Sequence, residues 1–190
     1  MKKQKLKEGP PEFYRLDDDM TLADRWMIDH PNIIENDDDT WYQLKLGHPI
    51  DGSQPVRILI TRDGRPLDYT ETSLANPVVS SRTAKLLNVA APGEVQFLDV
   101  RIDRRHRGYK ALNILDHIDC LDKKLSVLFP PNKDGRQAVM EVAINSKKVG
   151  SRRIFRVATW PVCVIVRPII KEHFEREGIT GAVFRALRSS

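Results

Sequence analysis

The chain has 190 residues, with 31 lysines and arginines against 26 aspartates and glutamates, and a net charge of +5 at pH 7. It contains no run of about 20 apolar residues, which excludes a membrane-spanning helix, and its two cysteines exclude a scaffold held by several disulfides. A chain of this length buries roughly 70% of its unfolded surface and forms a core without such cross-links.

The start of the chain is basic and runs into Gly9-Pro10-Pro11 without the apolar stretch of a signal peptide. We therefore expect a cytoplasmic protein in which residues 1–11 form a disordered basic leader. We expect residues 12–190 to fold as a single compact domain. The alternative is two subdomains divided near residues 75–93.

Charge is distributed unevenly along the chain. The segment from Asp17 to Asp39 holds nine acidic residues and one arginine, Arg25, which is a net charge of −8 and leaves +13 on the remaining residues. Such an asymmetry predicts either an interaction surface or two parts of the chain that pair with each other.

The first third of the chain predicts short strands and loops. Glu12–Leu16 is short, aromatic and followed by charge, which favours an edge strand. Thr21–Asp24 resembles a capping box and predicts one helical turn, and Pro31–Asp39 has the composition of a loop. Alternation predicts strands at Trp41–Leu46 and at Val56–Thr61.

The middle third predicts a capped helix followed by a hairpin. Pro77–Ser81 has the composition of a strand that runs into a helix, with Ala84 and Leu87 on the inward stripe of that helix. Apolar and polar residues alternate along Glu94–Ile102. We expect this strand to pair with Tyr109–Leu115 in a hairpin across a basic turn. Two further strands are predicted at Leu125–Phe129 and Ala138–Ile144.

The last segment predicts a strand–helix–strand unit. Ile154–Ala158 and Val162–Val166 are strands, and the second is apolar throughout, as in a strand buried on both faces. Pro168 is placed to begin a helix, Gly178 to end it, and Gly181–Leu187 to return as a strand. The chain is thus α+β, with mixed, mostly antiparallel sheets, few helices and one amphipathic helix near the C-terminus.

The sequence contains none of the usual catalytic or phosphate-binding motifs. His117 and Cys120 have a spacing typical of metal ligands but lack matching third and fourth ligands. Asp119 and Asp122, on one helical face, would be paired carboxylates for acid–base chemistry, although turn or capping roles are commoner. We expect no enzyme, no cofactor, no metal site and no catalytic residue, with a small hydrolase that uses Asp119 and Asp122 as the weaker alternative.

The basic residues make a nucleic-acid-associated binding protein the first alternative function, ahead of the hydrolase. No aromatic–basic interleaving or helix-turn-helix pattern accompanies them, and we expect neither a nucleic-acid nor a membrane partner. The residues concerned are Arg104, Arg105, His106 and Arg107 in one turn, and Lys147, Lys148, Arg152, Arg153 and Arg156 further along.

A series of motifs, taken in order and spacing, resembles a known family. These are Phe13-Tyr14-x-Leu16-x-Asp18-Asp19, Arg25-Trp26, Pro66-Leu67-Asp68-Tyr69, Pro77-Val78-Val79-Ser80, Tyr109-x-x-Leu112-Asn113, Asp119-Cys120-Leu121-Asp122-x-x-x-Ser126, Ile154-Phe155-Arg156 and Gly178-x-Thr180-Gly181-x-x-Phe184. Together they resemble immunity family eleven of bacterial polymorphic toxin systems, which is named after a Myxococcus immunity protein.

The resemblance implies binding rather than catalysis. Proteins of this family are encoded beside a toxin and protect the producing cell by complexing it, so the implied partner is a cognate toxin domain. No cofactor and no catalytic residue carries over.

Two surfaces are candidates for toxin binding. Many intracellular toxins act on nucleic acids or nucleotides through basic clefts, which an acidic inhibitor surface would match. The acidic candidate comprises Glu35, Asp37, Asp38 and Asp39, with Trp41 and Tyr42 as apolar anchors. The alternative surface comprises Arg104, Arg105 and Arg107, which suit an acidic toxin.

Overall fold

The computed structural model describes residues 9–29, 32–33, 40–53, 55–103, 108–133, 135 and 137–190. Its helices are α1 Thr40–Gln43, α2 Ser81–Ala90 and α3 Pro168–Arg176, with a 3-10 turn at Ser146–Lys148. Its strands are β1 Tyr14–Asp18, β2 Met27–Ile28, β3 Asn32–Ile33, β4 Val56–Ile58, β5 Ile60–Arg62, β6 Tyr69–Glu71, β7 Pro77–Ser80, β8 Val95–Ile102, β9 Tyr109–Ile114, β10 His117–Ile118, β11 Val127–Leu128, β12 Val139–Glu141, β13 Ala143–Ile144, β14 Ile154–Val157, β15 Trp160–Val166, β16 Ala182–Ala186 and β17 Arg188–Ser189.

A five-stranded sheet joins the two ends of the chain in the order β10-β14-β15-β1-β16. β1 is antiparallel to both of its neighbours, so that Leu16 lies opposite Val164 on one side and Phe184 on the other. The edge-strand prediction for Glu12–Leu16 is therefore wrong, because strands distant in sequence return to cover both of its edges.

A six-stranded sheet has the order β3-β4-β8-β9-β7-β6. The predicted hairpin is confirmed as β8 and β9, with Phe97 opposite Leu112. β7 leads into α2, and the Ser80 hydroxyl accepts a hydrogen bond from the Thr83 amide at 3.4 Å as the helix cap. The α+β class with mostly antiparallel sheets is confirmed.

The C-terminal unit has the predicted order of β15, α3 and β16. α3 begins at Pro168 and buries Ile170 and Phe174, and Gly178 follows it with φ +59°. Helical periodicity places Ile169 on the same apolar stripe as Ile170 and Phe174, but Ile169 is 37% exposed, so the buried stripe is narrower than the sequence indicates.

Four further local predictions before residue 62 are corrected. The predicted Pro31–Asp39 loop contains β3, which pairs with β4, and its other residues lie outside the described residues. The Thr21–Asp24 segment is not helical, because Asp19 Oδ1 accepts hydrogen bonds from the Thr21 amide and hydroxyl and holds a tight turn. Trp41–Leu46 is not a strand, because α1 and successive turns satisfy its backbone locally. Val56–Thr61 divides at Leu59, since β4 pairs with β8 whereas β5 pairs with β2.

The main core lies between the five-stranded sheet, the six-stranded sheet and the two longer helices, α2 and α3. Leu16 and Val164 of the five-stranded sheet pack in one buried cluster with Leu112 of the six-stranded sheet, Leu87 of α2 and Phe174 of α3. Two further clusters cover the outer faces of the sheets. Within the described ranges, no helix has the length and apolar character needed to cross a membrane.

Candidate functional site

An open cleft of about 640 Å³ lies where β1 and β16 meet the turns around β2, β5 and β6. That volume falls in the range of small-ligand and side-chain binding sites. Its lining combines charged side chains with an apolar wall and comprises Arg15, Asp17, Asp18, Met20, Arg25, Met27, Ile28, Thr61, Glu71, Thr72, Ser73, Ala75 and Arg185.

Asp17 is neutralised by two arginines of the five-stranded sheet. Its carboxylate lies 2.6 Å from Arg15 Nε and 2.9 Å from Arg185 Nε. Because β1 and β16 are adjacent and antiparallel, Arg15 lies opposite Arg185 and both reach the same carboxylate. This side of the cleft therefore carries one net positive charge.

Arg25 is 2% exposed, and its hydrogen bonds lock it in place. Its Nη2 donates to Asp18 Oδ2 at 2.5 Å and to the Thr70 hydroxyl at 2.7 Å, while Nη1 and Nε donate to the Asp19 and Trp26 carbonyls. The guanidinium therefore has a structural role: its donors are used in hydrogen bonds within the chain and are not available to an incoming ligand.

Glu71 is the cleft carboxylate without a bound cation. It accepts a hydrogen bond from the Tyr69 hydroxyl at 3.0 Å, and no lysine or arginine forms an ion pair with it among the described residues. Burial, followed by the charges of Asp18 and Asp17, raises its pKa to about 7, and the Tyr69 hydrogen bond and Arg156 oppose this rise.

Asp18 adds an unused acceptor beside Glu71. Its Oδ2 accepts from the Glu71 amide at 3.1 Å as well as from Arg25. Its Oδ1 is buried and has no hydrogen-bond partner within the described part of the chain. Burial also raises the pKa of Asp18, against the opposing effect of Arg25. Two carboxylates with spare acceptor capacity therefore meet at this end of the cleft.

Most residues of the two predicted binding surfaces lie outside the described residues. These are Glu35, Asp37, Asp38 and Asp39 of the acidic surface and Arg104, Arg105 and Arg107 of the alternative. Of the acidic surface the structure describes the backbone of Trp41, in α1, and Tyr42, which is 51% exposed.

The described residues that flank the two surfaces, Ile33 and Ile102, lie two strands apart in the six-stranded sheet. Ile33 precedes the acidic surface and pairs with Val56, which in turn pairs with Val100 of β8. Ile102 lies further along β8, toward the arginine surface. The two flanks are therefore offset by only two positions along β8.

Asp119 and Asp122 do not share a helical face. Asp119 forms an ion pair with Lys148 at 3.1 Å. Asp122 Oδ1 accepts hydrogen bonds from the Lys124 and Leu125 amides at 2.9 and 3.1 Å. The turn role is confirmed for Asp122, and the paired-carboxylate arrangement is wrong because the segment folds as turns around β10.

His117 and Cys120 lie in the same region. Cys120 is fully buried, and burial raises the pKa of its thiol to about 11. Burial, with smaller contributions from Arg156 and His48, lowers the pKa of His117 to about 4. The described residues contain no group of three or more His, Cys, Asp or Glu that could hold a metal ion.

Arg156 does not contribute to a basic surface, because it is fully buried in β14. Its Nη1 donates to the Pro161 carbonyl, and burial lowers its pKa. The sequence places it in an alternating strand next to other cations and carries no mark of this burial.

The sequence does not predict the cleft itself. Asp17 and Asp18 have the composition of a solvated acidic turn, and neither Glu71 nor Arg185 stands in a pattern that indicates a site. The pair Asp18 and Arg25, seven positions apart, is the available signal, because it belongs to the motifs that carry the family resemblance.

Comparison with known proteins gives a family for nearly the whole chain. Residues 7–189 match the family described as Immunity protein family (Imm11). No curated protein matches the chain.

Proposed function

The chain belongs to the Imm11 immunity protein family, and from this premise we propose that it neutralises a cognate bacterial toxin by direct, stoichiometric binding in the cytoplasm of the producing cell. The observation that carries the proposal is the extent of the family match, from residue 7 to residue 189, which includes the five-stranded sheet, the six-stranded sheet and helices α1, α2 and α3.

The contacts of the candidate catalytic residues support binding rather than chemistry. Asp119 is held in an ion pair and Asp122 accepts turn hydrogen bonds, so both carboxylates have structural roles. Inhibition by complex formation requires no catalytic group on the inhibitor.

The proposed toxin-binding surface is the acidic one, Glu35, Asp37, Asp38 and Asp39 with Trp41 and Tyr42. Two features support this choice: the concentration of negative charge in the sequence and the 51% exposure of the Tyr42 ring beside it. A charged surface with an aromatic anchor steers rapid encounter and then supplies buried contact area.

Charge reversal tests this assignment. Replacement of Asp37, Asp38 and Asp39 by lysine should slow association with the purified toxin by about tenfold or more at low salt and weaken its salt dependence. Arg104→Glu with Arg105→Glu is the matched control and should leave association unchanged. Stopped-flow measurement of association reads out both. If only the arginine variant loses binding, the acidic surface is not the toxin-binding one.

Nucleic-acid binding is the competing function, and the same preparation tests it. A protein that neutralises several phosphates loses affinity log-linearly with salt. We expect only weak, non-specific retention of DNA or RNA near physiological ionic strength in a filter-binding assay. A tight and selective nucleic-acid complex at that salt would replace the inhibitor proposal.

A further inference from the structure

The cleft described above contains an acceptor site for a cation that the chain does not fill itself. Its three arginines are committed, Arg25 to Asp18 and neighbouring carbonyls, and Arg15 and Arg185 to Asp17. In the described part of the chain, Asp18 Oδ1 has no hydrogen-bond partner, although Oδ2 of the same carboxylate is paired with Arg25. The Glu71 carboxylate forms no ion pair there and accepts one hydrogen bond, from Tyr69.

Leaving these carboxylate oxygens without a ligand raises the free energy of the folded protein. A buried acceptor that lacks a partner loses the hydration it has in water, and two adjacent carboxylates repel each other. An incoming ammonium or guanidinium would supply donors to Asp18 Oδ1 and Glu71 together and remove that repulsion. Guanidinium is the better geometric match, because it presents planar, paired donors to carboxylates.

We infer that the Asp18–Glu71 end of this cleft binds the guanidinium or ammonium end of a basic side chain from a protein partner. This inference rests on the proposed function, since the toxin is the partner that would supply the side chain.

The rest of the cleft supports a side chain attached to a protein over a free cation. Met20, Met27 and Ile28 form an apolar wall beside the carboxylates, which suits the methylene stem of lysine or arginine. Met20 is 63% exposed at the mouth, where flanking residues of a partner would contact it.

The first experiment tests the acceptor site without the toxin. The ¹⁵N-labelled protein is titrated with ethylguanidinium and, as an uncharged control, with N-ethylurea. We expect saturable amide shifts at Glu71, Ser73 and Ala75 with ethylguanidinium alone. Glu71→Gln keeps an acceptor for the Tyr69 hydroxyl but loses the charge, and it should weaken binding by about tenfold. Glu172→Gln, on the exposed side of α3, should not.

The response to pH is part of the same titration. Ethylguanidinium requires ionised Glu71, whose pKa is about 7 in the free protein. Affinity should therefore rise between pH 6 and pH 8 in the wild type and stay level in Glu71→Gln. Equal shifts with N-ethylurea, or unchanged affinity in Glu71→Gln, would overturn the inference.

The second experiment uses the toxin and separates the two proposals. If the toxin binds the wild type, Glu71→Gln should raise the dissociation constant by about tenfold while Glu172→Gln leaves it unchanged. Unchanged toxin affinity in Glu71→Gln would overturn the cleft as a partner site and leave the inhibitor function standing. A toxin that fails to bind the wild type would overturn the inhibitor function, and with it the source of the basic side chain.

Discussion

At the scale of single residues, Glu71 shows how a carboxyl group acquires unusual properties from distant parts of the chain. Its neighbours belong to separate elements: Tyr69 lies on its own strand, Asp17 and Asp18 lie on β1, and Arg156 lies on β14. No local sequence pattern encodes this environment, because β1 precedes Glu71 by about fifty positions and β14 follows it by more than eighty. Its environment was therefore not predictable from the sequence.

The raised pKa of Glu71 predicts a pH-dependent contribution to stability. Folding favours the protonated form, because the pKa rises from 4.5 to about 7. The stabilisation is fully present below pH 4.5 and is lost as pH rises through about 7. The glutamine in Glu71→Gln has no charge at any of these pH values. The free energy of unfolding of this variant, relative to that of the wild type, should therefore increase by roughly 1–3 kcal/mol as pH rises from 5 to 8.

Denaturant unfolding at several pH values measures this difference. Glu172→Gln is the control and should follow the wild type throughout. If the difference in free energy of unfolding between Glu71→Gln and the wild type stays constant between pH 5 and pH 8, folding does not raise the pKa of Glu71.

At the scale of elements, the C-terminal unit was predictable and α1 was not. Pro168, Gly178 and the apolar stripe of α3 are local signals that agree with the final packing. The segment at Trp41–Leu46 alternates like a strand, but its backbone is satisfied by local hydrogen bonds, such as Lys45 to Tyr42 at 2.8 Å. Local secondary-structure propensity therefore predicted the observed structure for α3, where it agrees with the tertiary packing, and not for Trp41–Leu46.

Gly181 is a position where the junction between α3 and β16 requires glycine. Its φ is +88°, and a Cβ there would collide with the Tyr69 carbonyl oxygen and with Leu67. Gly178 also has a positive φ, +59°, but a Cβ at that position would point into open space.

Replacement of the two glycines by alanine should therefore lower the free energy of unfolding by different amounts. Gly178→Ala should cost about 1 kcal/mol from backbone strain alone, whereas Gly181→Ala should cost roughly 3 kcal/mol or more because backbone must also move. Chemical denaturation of both variants measures the losses. Equal losses of stability would show that Gly181 does not pack closely against Tyr69 and Leu67.

At the scale of the whole molecule, we propose that the described elements form one domain rather than two subdomains. Leu16, Val164, Leu112 and Phe174 come from both sheets and from α3, and all pack in one buried cluster. Glu94 adds a polar link, since its carboxylate accepts hydrogen bonds from the Arg153 and Ile154 amides at 2.8 and 2.9 Å. The predicted boundary near residues 75–93 runs through α2, which itself contributes Leu87 to this core.

A single domain should unfold in one cooperative transition. We expect near-ultraviolet and far-ultraviolet circular dichroism to give the same midpoint in urea, because removing either sheet exposes the shared core. Two separated transitions, with one sheet surviving the loss of the other, would favour the two-subdomain alternative.

We propose that this chain neutralises its toxin by forming a stoichiometric complex, and titration of toxin activity tests this proposal most directly. With toxin fixed far above the dissociation constant, residual activity should fall linearly and reach zero at about one equivalent of the chain. Loss of all activity at a small fraction of an equivalent would indicate a catalytic mechanism. Full activity in the presence of a stable complex would contradict neutralisation by binding.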